Sequence, residues 1–161
     1  MKIDLRPIKH EIGAHIPFSF NISIVDREPT VPSDVKVTGD IKNRAGYLIL
    51  NMTMEAEIVT VCDRCLDSIA RMHTVEFEAV LADSIEGEED DGIIVCENDE
   101  FVPDELAAST FILEMPTKNL CREDCKGLCP KCGTNLNESD CSCTKKEIDP
   151  RLSKLLELLD E

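Results

Sequence analysis

Nine cysteines stand in a chain of 161 residues, and six of them fall within residues 121–143, CREDCKGLCPKCGTNLNESDCSC. Thiolate is a soft ligand, and a tetrahedral Zn2+ takes four of them at about 2.3 Å. Two cysteines separated by two residues on a tight turn supply adjacent corners of that tetrahedron. The chain has two such pairs, Cys62/Cys65 in CDRC and Cys129/Cys132 in CPKC. In the second pair, Pro130 stiffens the turn and Gly133 lets the backbone swing past the sulfur. Amides in such a turn point at sulfur and stabilise its negative charge.

Setting Cys96 aside leaves eight thiols, the number that two four-thiolate sites require. The spacing favours Cys62, Cys65, Cys121 and Cys125 for one site and Cys129, Cys132, Cys141 and Cys143 for the other. Only one residue separates Cys141 from Cys143, which leaves an alternative open. Unless that segment is extended, one of the two turns away. Cys125 could then complete the second site, and the first would keep three clear ligands. One or two structural zinc ions are expected.

Sites made wholly of thiolate are closed, whereas a catalytic zinc keeps an open position beside a general base. The chain has no G-x-S-x-G, no Walker A and no Gly-rich dinucleotide loop, so no enzyme and no small-molecule substrate are expected. Thioredoxin-like chemistry uses one C-x2-C pair where a strand enters a helix in a βαβ unit, a context absent here. A thiol redox sensor is the third functional alternative. Cys96, in IIVC, reads as a small buried hydrophobe. His10 and His15 read as structural or surface residues, and His73 as a further ligand candidate by its nearness to Cys65.

These residues need a scaffold. From Phe18 the chain reads as strands: FSFNISI, VKVTGDI, YLILNMTMEAEIVTV and TVEFEAVLA, with period-2 alternation and a turn at Asn43-Arg44-Ala45-Gly46. CDRCLDSIARMH between the last two places Cys62 and Cys65 at a hairpin tip. Residues 93–102 read as two short strands around Asn98-Asp99. Asp104 is expected to cap a helix through Leu106, Ala107, Phe111, Ile112 and Met115, ended by Pro116. Asp149-Pro150 opens a short terminal helix on which Leu152, Leu155, Leu156 and Leu159 form a stripe. The expected class is α+β: an antiparallel β meander or partly open barrel, a few helices and a C-terminal Cys-rich zinc knuckle. The division is a β-rich core domain over 1–117 with an acidic loop at 84–105, a zinc-binding segment over 118–147, and the amphipathic helix over 148–161.

Formal charge is −16, and residues 84–105 hold ten acidic side chains and no Lys or Arg. Residues 118–147 carry six Lys or Arg against five acids. The acidity is local, so an RNA partner at the cysteine-rich end is compatible with it. Arg64, Arg71, Lys118, Arg122, Lys126, Lys131, Lys145 and Lys146 are candidate RNA or partner contacts. The start, MKIDLRPIKHEIGAHIPF, lacks a secretory pattern, and no apolar run approaches the ~18 residues of a membrane span. A cytoplasmic protein is expected, and in a reducing compartment metal ligation outranks disulfides.

The CDRCLDS hairpin followed by TVEFEAVL, the segment ILEMPTKNLCREDCKGLCPKCGTNLNESDCSC and the ending IDPRLSKLLELL resemble the YceD family of large ribosomal RNA subunit accumulation proteins. The resemblance runs from about residue 35 to the C-terminus. It implies a bacterial or organellar, non-enzymatic factor for accumulation or processing of large-subunit (23S-type) ribosomal RNA, acting on pre-ribosomal RNA or a large-subunit assembly particle. Genes of the family typically neighbour one for a large-subunit ribosomal protein. Some relatives keep the first C-x2-C and a counterpart of Cys125 while lacking the later knuckle, which favours the two-site partition. The alternative is a docking adaptor that holds a basic ribosomal protein through the acidic segment without touching RNA.

Overall fold

The computed structural model describes residues 1–24, 31–32, 34–84 and 92–143. In chain order the elements are β1 (Ile3–Asp4), α1 (Arg6–Lys9), β2 (His15–Ser23), β3 (Asp34–Arg44), β4 (Tyr47–Val61), β5 (Ser68–Ala82), β6 (Ile93–Val95), a 3-10 turn (Glu97–Asp99), β7 (Glu100–Phe101) and α2 (Pro103–Leu113). The class is α+β with an open sheet ordered β2-β3-β4-β5-β6. The first four of these strands form an antiparallel meander, and β6 runs parallel to β5 at the edge.

Alternation makes the sheet two-faced. Along β4, Leu48, Leu50, Met52, Met54, Ala56 and Ile58 all point into the core. The register sets Val37 opposite Met54 and Phe18 opposite Gly39. Gly39 is demanded by that pairing, since a Cβ there would sit 2.5 Å from the Phe18 ring and 2.4 Å from the carbonyl oxygen of Asn51. Phe111 and Ala107 of α2, with Leu5 and Ile8, complete this core. Between β3 and β4 the loop is Ala45-Gly46, with φ of 54° and 94°. Two consecutive positive φ values match the right-handed twist of the flanking strands.

Three expectations need correction. Strand β5 begins at Ser68, not near Thr74, so the hairpin tip is only residues 62–67. Its inward positions there are Ile69, Arg71 and His73: Arg71 bonds Asn119, and His73 meets the Phe111 ring and the Glu114 carbonyl, so polar side chains hide the strand period. Asp104 does not cap α2. The N-cap is Val102, Pro103 takes the first turn, and Asp104 follows as a first-turn acid that binds the N-terminal ammonium. The segment 84–105 is not one loop, because 93–105 form β6, the 3-10 turn, β7 and the start of α2. The two short strands do not pair with each other: β6 joins β5 and β7 joins β1. The EGEEDD run and the terminal leucine stripe lie outside the described residues.

Asn43 is buried, and its amide donates to the carbonyls of Ile8 at 2.7 Å and Lys9 at 3.0 Å while its Oδ1 accepts from the Gly46 amide at 3.0 Å. One side chain thus fixes both the hairpin turn and α1. Asn43→Ala is expected to cost about 1–3 kcal/mol by leaving these groups unmet, read as a lower urea midpoint. Leu113→Ala, at an 82% exposed position, should leave the midpoint within error.

Candidate metal centres

The β4–β5 hairpin carries Cys62 and Cys65 on its tip. Leu66 donates its amide to the Cys62 carbonyl at 2.9 Å, and the Cys62 amide returns to Asp67 O at 2.8 Å. The 129–134 turn repeats the pattern: the Gly133 amide donates to Cys129 O at 2.9 Å, and the Cys129 amide to Thr134 O at 2.8 Å. The residue after the second cysteine is left-handed in both, with φ of 74° at Gly133 and 63° at Leu66. Glycine tolerates that conformation; leucine is strained there.

The sulfur atoms gather in two groups, Cys62/Cys65/Cys121/Cys125 and Cys129/Cys132/Cys141/Cys143, and within each group all lie within 4.8 Å of one another. Cys62 and Cys125 are 3.8 Å apart, and Cys65 and Cys121 are 3.6 Å apart. A tetrahedron of sulfurs with a metal–sulfur length of ~2.3 Å has edges of about 3.8 Å. Disulfides would need about 2.05 Å, and all nine cysteines are free. Donor type, number and spacing fit a thiophilic divalent ion at each site. The grouping is the one favoured by the spacing, and Cys125 belongs with the hairpin.

Electrostatics point the same way. Burial resists ionisation of Cys62, but the amides of Cys121, Cys65 and Arg64 outweigh it and bring the thiol down to about 6. The Thr134 hydroxyl and amide hold Cys132 down at about 6. Cys65 is raised, first by donating to the Asp67 carboxylate at 3.0 Å, and Cys143 is pushed up to about 12 by Cys132. Cys125 and Cys129 are also lowered, and Cys121 and Cys141 raised. Each group therefore holds two thiols low and two high, set by burial and by the hydrogen bonds around each sulfur. A divalent cation supplies the charge that lets all four ionise.

What seats the first group is a set of polar side chains that sequence reasoning missed. Asn137 donates to Cys125 Sγ at 3.3 Å and to Asn135 Oδ1 at 2.8 Å, and accepts from Arg122 and from the Lys126 amide, each at 2.8 Å. Asn119 and Asp63 clamp the tip to the incoming chain through the Asp63 amide to Asn119 O at 2.8 Å and the Asn119 amide to Asp63 Oδ2 at 2.7 Å. The signal for the first two was the T-N-L-N run after CPKCG, since asparagine in a turn bonds nearby backbone and accepts left-handed geometry. Gly127 (φ 76°) lies so close that a Cβ would sit 2.9 Å from Arg64 O. Leu128 donates its amide to that same oxygen at 3.0 Å.

Several basic candidates make hydrogen bonds within the fold. Arg64 donates to the carbonyls of Glu123 at 3.3 Å and Cys125 at 2.8 Å, and Arg71 to Asn119 Oδ1 at 2.8 Å. Arg122 also pairs with Asp124 at 3.4 Å. Lys131 has an interaction of its own within the chain. Lys118 and Lys126 form no ion pair with a described residue, and Lys145 and Lys146 lie outside the described residues. His73 is not beside the sulfurs: its Nε2 lies 3.0 Å from Glu114 O, and its ring stands edge-on to Phe111 at 5.4 Å. His10 and His15 are exposed. Cys96 is buried apart from both groups, its thiol pushed up to about 11 chiefly by burial.

The profile of the family described as Large ribosomal RNA subunit accumulation protein YceD matches residues 50–159, a span that contains all eight grouped cysteines. The chain belongs to the YceD family. An uncharacterized protein of Mycobacterium tuberculosis is 31% identical over 118 residues, covering 70% of this chain and 56% of the relative. The chloroplastic large ribosomal RNA subunit accumulation protein YCED homolog 1 of Zea mays is 28% identical over 153 residues, covering 75% and 52%. Its Arabidopsis thaliana namesake is 46% identical over 37 residues, covering 23% and 12%. The YceD chain in hand spans about half the length of the first two relatives. No solved structure matches it significantly, and no described helix is long and apolar enough to cross a membrane.

Asn137→Ala should weaken metal retention by about 10–100-fold, the usual effect of removing a ligand's hydrogen-bond partner, measured by chelator competition. Leu66→Gly should raise stability by up to about 1 kcal/mol through release of left-handed strain, read as a higher urea midpoint with metal content unchanged.

Proposed function

We propose that this chain is a non-enzymatic ribosome-biogenesis factor that supports accumulation or processing of large-subunit ribosomal RNA in the cytoplasm. Both sulfur groups hold structural zinc in this reading, and the ions shape the end of the molecule that meets pre-ribosomal RNA or an early large-subunit particle. One observation carries it: the family match runs through both sulfur groups, so the cage-bearing end is what this chain shares with a family named for that RNA. Zinc is the ion of choice because four thiolates in a closed tetrahedron are its structural donor set.

Engagement of Arg64, Arg71 and Arg122 in internal bonds favours a second reading, in which the particle is reached through a basic ribosomal protein rather than through RNA phosphates. In this reading binding does not rest on phosphate contacts, so it depends only weakly on salt.

Protein purified without chelator should carry two zinc ions, and Cys65→Ser and Cys132→Ser should each reduce the content to one. In the organism of origin, deletion should lower mature large-subunit ribosomal RNA relative to small-subunit RNA. Wild-type protein should restore it and Cys65→Ser should not. Unchanged ribosomal RNA in the deletion would overturn the reading. In-cell crosslinking then separates the two: RNA adducts support direct contact, and protein adducts alone support the adaptor.

A further inference from the structure

The β4–β5 hairpin carries its sulfur group on one side only. Cys62 and Cys65 pack with Ile69, Leu120 and Leu128, and on that same inner side Arg71 and His73 meet Asn119 and Glu114. The outer side is exposed. Val59 lies opposite Ala70 and Glu57 opposite Met72, so Val59 and Met72 are diagonal neighbours within reach of each other. Val59 is 60% exposed, Met72 64% and Val61 48%, and Leu66 on the tip is 62% exposed. Contiguous apolar patches on the order of a few hundred Å² mark interaction sites on soluble chains.

The border of this patch is acidic. Glu55 lies opposite Thr74 and Thr53 opposite Glu76, so Glu57, Glu55, Glu76 and Glu78 follow one another as a row across the outer face of the two strands. None of the four forms an ion pair with a described residue, and neither does Lys36, which stands opposite Glu55 on β3. Carboxylates so placed repel one another. A cationic occupant would relieve that repulsion.

We propose that the outer face of the β4–β5 hairpin docks a Lys- or Arg-rich protein segment that also carries a few apolar side chains. The apolar side chains lie on Val59, Val61, Met72 and Leu66, and the cations lie along the glutamate row. For the partner's class the proposal rests on the ribosome-biogenesis reading, because proteins that pack against RNA are rich in such cationic segments. The row repels phosphate, so RNA itself is a poor occupant. A second copy is also a poor one, since each chain carries a formal charge of −16.

The probe is a synthetic peptide of alternating lysine and leucine pairs, titrated into the full chain and followed by calorimetry and methionine-methyl NMR. It should move the Met72 signal and bind about tenfold or more tightly than a lysine and serine peptide of equal charge. Val59→Thr/Met72→Gln and Glu55→Gln/Glu57→Gln/Glu76→Gln/Glu78→Gln should each weaken binding about tenfold or more, with metal content unchanged, and the second should also flatten its salt dependence. Glu88→Gln/Glu89→Gln, in the acidic run, should bind as wild type does. Equal affinity for the two peptides, or loss in the Glu88→Gln/Glu89→Gln chain with none in the face variants, would overturn the docking. A Met72 signal that moves with protein concentration alone would assign the face to a second copy, and one moved equally well by an RNA oligonucleotide would assign it to nucleic acid; either result also overturns the proposal. The deletion strain tests the biogenesis reading separately: unchanged ribosomal RNA beside intact peptide docking would remove that reading and leave the face as a site for cationic segments.

Discussion

Four sulfurs within 4.8 Å of one another repel once ionised, and the outer end of the β4–β5 hairpin is built around that repulsion. The main core is closed by α1, α2 and the inward faces of β2 to β5. Beyond it the hairpin has almost nothing apolar to rest on: Ile69, Leu120 and Leu128 are the hydrophobic side chains packed about Cys62, Cys65 and Cys125. Such a cluster is too small to hold a segment of chain against its conformational entropy. A cation among the sulfurs converts their repulsion into the strongest local attraction, and the amides and Asn137 around them already point the right way.

Much of this was legible in the residues because the signals were local and redundant. The fifteen-residue β4 declares itself by unbroken alternation, and the eight cysteines fall into two groups by spacing. The start of β5 was illegible because polar Arg71 and His73 occupy inward positions, where Asn119 and the Glu114 carbonyl meet their polar atoms. The cap of α2 was misread because Asp104 satisfies the composition of an N-cap, while Pro103 just before it prefers the first turn. Parallel pairing of β6 with β5, and antiparallel pairing of β7 with β1, depend on contacts between distant segments that no local pattern encodes. Asn119, Asn135 and Asn137 stayed hidden for a similar reason: an asparagine in a loop looks alike whether it faces water or a sulfur.

Charge tells a similar story about function. Reading basic residues near a cysteine cluster as nucleic-acid contacts assumes that their side chains are available. Arg64, Arg71 and Arg122 instead close hydrogen bonds to Glu123, Cys125, Asn119 and Asn137. The guanidinium fork suits this work, since it can satisfy several carbonyl oxygens at once. These guanidinium groups act as clasps within the fold while keeping their positive charge.

The two cages also differ in how much chain they enclose. Cys62 and Cys125 are 63 positions apart, whereas the other quartet spans only residues 129–143. Loop-closure entropy makes the wider ring costlier by about 1 kcal/mol, and it further requires a finished hairpin to present Cys62 and Cys65. During synthesis the tip pair emerges first and must wait for partners some sixty residues downstream. All four cysteines of the wider ring have emerged before Cys143 does, so the hairpin, rather than the arrival of thiols, sets when the wider ring can close.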